Sequence, residues 1–329
     1  MSFVPGRTVR QIAVATIFAM SALAFSTQGL AARLAFAGNQ GSGSVSVIDT
    51  VSDQVIRTLV GEGKLGKVNG VVANRAGTLL FVVDAKGGMV NVVDIATDKL
   101  KKQIPVGSGP EGIGISPSGR EVAACIEDDN RVVVIDTAKL EVSRRIPIKG
   151  SNPEHCVFSP DGRWLLTSNE NSNDVDIIDL QKGASLVALK SSNHPRGIAF
   201  LSGRDIAYVA AEGANLVDVV DVKSQKILRS LPAALRPAGA VSSADGKFVY
   251  ITNGGSGSVS VFDTSSGKSI AEISVGKRPW NSALTRDGSK LYVPNGRSNS
   301  VSVIDTSRRA VIKEIPVGQL PWGVAIGGE

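Results

Sequence analysis

Short apolar runs rich in Val and Ile recur along the chain, and each closes on an aspartate. VSVID ends at Asp49, VNVVD at Asp94, VVVID at Asp136 and VDIID at Asp179; VDVVD, VSVFD and VSVID follow at Asp221, Asp263 and Asp305. Successive spacings are 45, 42, 43, 42, 42 and 42 residues. A second mark trails each aspartate by 16 or 17 residues: Pro110, Pro153, Pro195, Pro237, Pro279 and Pro321. The first copy departs here, with Val68 in the proline slot and a three-residue insertion in GEGKLGK. Nine residues beyond the slot lies a third mark: Gly77, Gly119, Gly162, Gly246 and Gly288. Three marks in register define a repeat of about 42 residues, present seven times.

Each copy reads as four short strands. In the copy around Asp305 these are Ser282–Thr285, Leu291–Val293, Val301–Asp305 and Val311–Val317 (strands A to D), with an Arg286-Asp287-Gly288 turn after the first. β-branched runs separated by Gly, Asp and Asn turns are the pattern of an antiparallel meander. Continuous rather than alternating hydrophobicity, as in VVVID, predicts strands buried on both faces. One four-stranded sheet cannot cover its own two faces, so neighbouring copies must do so. Seven of them closing a ring give a seven-bladed β-propeller, an all-β fold. The ends fit closure: Leu34–Ala37 reads as a strand B, and Gly323–Ile326 as a lone strand A that completes the same blade. The matching aspartates are read as turn formers, the prolines as fixing φ at the D-to-A handover, and the glycines as allowing positive φ between A and B.

The first 31 residues are of another kind. Arg7 and Arg10 precede an apolar run, Ile12 to Phe25, and small residues Gly29 and Ala31 follow. That order predicts a secretory signal peptide over 1–31, with the propeller over 32–329 and a mature start near Ala32. A run of 14 residues falls short of the roughly 20 that span a bilayer, although an uncleaved anchor stays open as the alternative. A periplasmic location and no membrane span after cleavage are therefore expected. Removing 1–31 removes two Arg and no acid, so the net charge falls from +6 to +4. The basic residues form no run, and nucleic acid is not an expected partner. Cys125 and Cys156 fall near the same end of neighbouring blades. Two buried free thiols are expected, one disulfide being permitted in an oxidising compartment.

Tyr250-Ile251-Thr252-Asn253 and Tyr292-Val293-Pro294-Asn295, each followed by a VSVxDT strand and then IxVG, resemble the YVTN-type propeller repeat. The resemblance covers essentially everything after the apolar leader. Strand B of the early copies departs from it, with FVVD at Phe81–Asp84 and ACIE at Ala124–Glu127. The closing segment, from Arg278-Pro279-Trp280 through LYVPNGRSNSVSVIDT to Pro321-Trp322, is similar to periplasmic propellers associated with PQQ-dependent alcohol catabolism and a neighbouring ABC transporter. That resemblance implies an accessory role rather than a quinoprotein: the tryptophan-docking repeats of eight-bladed quinoprotein dehydrogenases are absent, and the chain has three Trp.

In an A–B–C–D meander the D–A and B–C connections share one face, with strand A lining the axis. Positions around the proline slot therefore ring the channel mouth. The residue after the slot reads Asn69, Glu111, Glu154, Arg196, Ala238, Trp280 and Trp322; the residue before it reads Lys67, Gly109, Asn152, His194, Arg236, Arg278 and Leu320. The order predicts three arcs. Glu111 and Glu154, backed by Glu127, Asp128, Asp129 and Glu170, form an acidic one; His194, Arg196, Arg236 and Arg278, with Arg297, a basic one; Trp280 and Trp322 an aromatic one. A charged, solvated rim is the plain reading. The sharper one is a binding mouth in which Arg holds an anion or a partner's carboxylates against Trp faces. His155 and His194 are the only histidines, and with Glu111 and Glu154 they suggest at most a loose metal set, without HxH or HExxH spacing. No nucleophile elbow, Ser-His-Asp set or phosphate loop is evident. The expectation is a monomeric, non-enzymatic binding or docking propeller needing no cofactor or metal, whose partner is a periplasmic protein or a small anionic ligand. A channel-centred, metal-assisted hydrolase or lactonase and a purely structural surface protein are the alternatives.

Overall fold

The computed structural model describes residues 1–2 and 34–327. The signal peptide expected over 1–31, and the mature start near Ala32, thus lie outside the described residues apart from the first two. Within them the chain forms seven four-stranded antiparallel sheets. Blade 1 joins Pro321–Ile326 (strand A) to Leu34–Asn39, Ser44–Asp49 and Gln54–Leu59 (B, C and D). Blades 2 to 6 open on Val68–Ala73, Pro110–Ile115, Pro153–Phe158, Pro195–Phe200 and Pro237–Ser242, and blade 7 on Ala283–Leu284. The described residues contain no helix long and apolar enough to cross a membrane.

The double-faced burial expected from VVVID is present: Val132 to Ile135 are all fully buried. Their side chains alternate between two cores, each shared by adjacent blades. Val133 and Ile135 pack with blade 2 residues such as Phe81, whereas Val132 and Val134 pack with blade 4 residues such as Leu165. Seven such clusters fill the seven interfaces among the described residues, the last joining Tyr292 and Val301 of blade 7 to Ala35 and Ile326 of blade 1. At about 25 cal/mol per Å² of apolar surface, these interfaces are the main stabilising term. Closure is also clamped outside the core, where Tyr292 Oη bonds Asp53 and Lys290 Nζ reaches Asp53 Oδ2 at 2.7 Å.

The repeated aspartates form Asx turns. Asp136 Oδ1 accepts the N–H groups of Ala138 and Lys139, both at 2.9 Å, and Asp49 and Asp305 do the same in their copies. The A–B glycines adopt positive φ, and Gly203 does so in blade 5, one residue off the register of the other copies. Cys125 and Cys156 are both buried free thiols.

Blade 7 breaks the pattern. Pro294 lies inside its strand B, opposite the place where Asn281 would pair. Having no N–H, Pro294 leaves the Asn281 carbonyl free. That carbonyl instead accepts the Val324 N–H of blade 1 at 2.9 Å, and strand A shrinks from the expected Ser282–Thr285 to Ala283–Leu284. Strand A of blade 7 is thereby tied to its neighbour rather than wholly to its own sheet.

Two outcomes are expected. A chain ending at Gly318 lacks the strand that closes blade 1, and its melting temperature should fall by at least ~10 °C; an unchanged melt would remove closure as the source of stability. Pro294→Thr restores a donor for the Asn281 carbonyl, so the Val324 amide should exchange hydrogen at least about tenfold faster.

Candidate functional site

The tips of the B–C hairpins set the geometry of the mouth. Asn130, Asn173, Asn215 and Asn299 occupy them in the left-handed conformation, which Asn tolerates better than most residues. Each side-chain Oδ1 accepts the N–H of the residue before the proline slot in the next blade. Asn152, His194 and Arg236 donate at 2.7 Å and Leu320 at 2.9 Å. Those acceptors hold His194 and Arg236 in the left-handed region too, with φ of 61° and 55°, and Arg278 adopts it at 56°. A Gly or Asn would adopt this conformation more cheaply. Bulky side chains here carry a backbone penalty of about 1 kcal/mol each.

The ring after the slot encloses a cavity of about 380 Å³. Glu111, Glu154, Arg196, Arg278, Trp280 and Trp322 line it as a group, joined by Glu127, Glu170, Arg297, Leu320 and Gln40. The remaining candidates lie elsewhere. His194 and Arg236 border a separate rim depression with Glu212. His155 is beneath the mouth, where its ring stacks on Trp322 with centroids 5.5 Å apart and an interplanar angle of 11°. Trp322 faces both this cavity and an apolar channel of about 590 Å³ below, lined by strands A. The His155–Trp322 pair therefore forms a partition between the two.

The separate acidic and basic arcs are not what the fold makes. Arg196 reaches back across the blades to ion-pair with Glu154, with Glu170 at 3.0 Å, and with Glu212. Glu212 also takes Arg236 through Nε at 2.7 Å and Arg278 at 2.9 Å. His194 pairs with Glu170. The guanidinium of Arg278 lies 4.3 Å from the Trp280 ring centroid, and that of Arg196 lies 5.3 Å from it. A long Arg spans more than one blade at the narrow axis, so opposite charges that the sequence separates meet there. Glu212, the acceptor for three Arg, was absent from the expected set. Its signal was present, since Glu127, Glu170 and Glu212 occupy the same position after strand B in consecutive copies, 43 and 42 residues apart. Asn281 gave no such signal, because Pro294 decides its placement.

Burial then sorts the carboxyl groups. Burial alone would raise Glu212, yet Arg196 and Arg278 outweigh it and hold the group below the ordinary carboxylate range. Burial raises Glu154 well above that range despite Arg196, and it raises Glu111 against the opposition of Asn69, Lys67 and Arg196. Glu127, pushed by burial and by neighbouring Glu111 and Glu170, rises to about 8. Burial lowers His155 to about 3, so its ring is neutral, and the tautomer protonated on Nε2 donates to Asn281 Oδ1 at 3.0 Å. Glu127 therefore retains its proton at neutral pH, while Arg196 remains charged nearby.

A family model for YNCE-like beta-propellers matches residues 64–275. No curated protein matches the chain. Among solved structures, Kuenenia stuttgartiensis hydrazine synthase is similar at 23% identity and a TM-score of 0.74, over 84% of this chain and 93% of that one. A functionally unknown protein from Desulfotomaculum acetoxidans DSM 771 is similar at 16% identity and 0.78, over 90% and 99%. Dihydro-heme d1 dehydrogenase NirN in complex with DHE is similar at 16% identity and 0.68, over 90% and 75%. At these identities the likeness is one of fold.

The raised Glu127 sets a pH dependence. A carboxyl whose folded pKa lies above its unfolded one stabilises most below about pH 4.5, and that contribution is lost as pH rises through about 8. Glu127→Gln cannot ionise. Its urea midpoint should gain on that of the native chain between pH 5 and pH 9, and parallel curves would contradict the assignment.

Proposed function

The chain belongs to the YNCE-like beta-propeller family, and from that premise we propose that it is a non-enzymatic binding propeller of the periplasm whose axial mouth holds a small ligand. The observation that carries this reading is the mouth cavity, lined by Glu111 and Glu154, each of which has one buried oxygen without a hydrogen-bond partner. Leaving a buried polar group unpaired costs about 1–3 kcal/mol, which a ligand group or water seated there offsets. A cavity of about 380 Å³ with aromatic walls and a few convergent polar groups is of the usual size and make-up for a small-molecule site.

The periplasmic placement rests on the leader-like start of the sequence. A role beside PQQ-dependent alcohol oxidation, or beside an associated ABC transport system, rests on the likeness of the segment from Arg278 to Trp322 to propellers of that setting. In such a pathway the propeller would carry or present a ligand to a neighbouring periplasmic protein. A metal-assisted hydrolase is less well supported. It needs three or four convergent ligands, and no group of three or more His, Cys, Asp or Glu able to hold a metal occurs among the described residues. His155 turns its Nε2 to Asn281, and His194 turns to Glu170.

The test is equilibrium dialysis of the purified protein against a periplasmic extract, with retained small molecules identified by mass spectrometry. Trp280→Ala opens the mouth and removes the ring beneath Arg278; it should retain the ligand at least about tenfold less well. Equal retention moves the site away from the mouth, and retention of nothing by the native protein favours a structural role.

A further inference from the structure

The charges of the mouth are unequally matched. Five carboxyl groups, those of Glu111, Glu127, Glu154, Glu170 and Glu212, stand at the mouth against four guanidiniums, those of Arg196, Arg236, Arg278 and Arg297. The two inner ones are engaged, Arg196 with three carboxyl groups and Arg278 with Glu212 and the face of Trp280. They are therefore poorly placed to receive an added anion. On the other side Glu111 and Glu127 form no ion pair among the described residues, although Lys67 and Arg196 act on Glu111 from farther off.

A second observation points the same way. Glu154 is only 2% exposed, and its Oε1 is taken by Arg196 while its Oε2 has no partner. Glu111 Oε2 is likewise buried and unpartnered. Both residues line the cavity. Two acceptor atoms held out of water beside Glu127 call for a donor that carries positive charge. A bare metal ion is a poor candidate, since no three acidic, His or Cys side chains converge closely enough to coordinate one among the described residues. The rest of the lining carries Leu320 and the rings of Trp280 and Trp322, with Arg297 and Gln40 beside them.

We propose that Glu111, Glu127 and Glu154 form a subsite for the ammonium head of a small organic monocation, whose apolar part lies against Leu320 and Trp322. The inference rests on the mouth being a ligand site, and it replaces the anion expected from sequence with a ligand of opposite charge. An ammonium group offers up to three donors and, unlike a metal ion, can be held by one or two of these carboxyl groups without all three converging on it. Its binding displaces protons held by these carboxyl groups, so affinity rises with pH while the amine stays protonated.

The test is titration calorimetry of the full protein with butylammonium, 1-butanol, butyrate and calcium at pH 7.5, in two buffers of different ionisation enthalpy. Butylammonium should bind at least about tenfold more tightly than its neutral or anionic counterparts, as a charge-assisted contact implies. Its binding should release protons, and tighten at least about threefold between pH 6 and pH 8.5. Glu111→Gln/Glu127→Gln should weaken it at least about tenfold. Should the double variant not fold, Glu127→Gln alone, at a half-buried position without an ion pair, should still weaken butylammonium and reduce the proton release. Tighter binding of butyrate or calcium, butylammonium affinity untouched by the folded variants, or no binding of butylammonium up to 50-fold above the millimolar range would overturn the cation subsite. Retention of a neutral or anionic molecule in the dialysis experiment would overturn the cation subsite alone, whereas retention of nothing would remove the ligand site itself.

Discussion

Every blade is apolar on both faces, and that single fact governs the rest of the molecule. Val132 to Val134 have no solvent side at all: each residue belongs to one interface or the other. No blade can be stable without two neighbours, and a row of blades with free ends would leave two apolar faces in water. Closure by Pro321–Ile326 removes both ends at once. The Asx turns, left-handed glycines and proline slots keep the seven copies similar enough in shape for the ring to meet.

A uniform scaffold frees its rim to vary. The slot and the left-handed Asn at the hairpin tip fix where each D–A residue sits, whatever that residue is. His194, Arg236 and Arg278 can thus occupy a conformation that suits Gly or Asn better; Asn173 and Asn215 of the preceding hairpins hold the backbone at the first two. The backbone cost at these positions is small against the interfaces that support it. Blade 7 shows the same freedom at the level of the ladder. Pro294 removes one donor from strand B, and the released Asn281 meets both blade 1 and His155.

At the axis the blades come closest, and there charge rather than packing decides the arrangement. Arg196 is held among three carboxylates, and its own charge is stabilised by them more than burial opposes it. Glu111 and Glu127 have no such ion pair and are pushed toward their neutral forms, and burial pushes Glu154 the same way despite Arg196. Such a ring of buried, partly protonated carboxyl groups does not favour stability by itself. Its placement beneath a cavity, beside a tryptophan wall, suits recognition better than support.

The sequence by itself determined the architecture: seven copies, four strands in each, the shared blade at the ends, and the face on which the mouth opens. It could do so because strand pattern and turn chemistry are local, and repetition tests each reading seven times. It also identified Glu111, Glu154, Arg196, Arg278, Trp280 and Trp322 as neighbours, since a ring position follows from the repeat alone. Only the tertiary structure decided which charges pair, why Glu212 is central and where His155 points. Those outcomes depend on how far a side chain reaches across the axis, on the dielectric its neighbours create and on one missing N–H at Pro294. None of these is a periodic property of the chain.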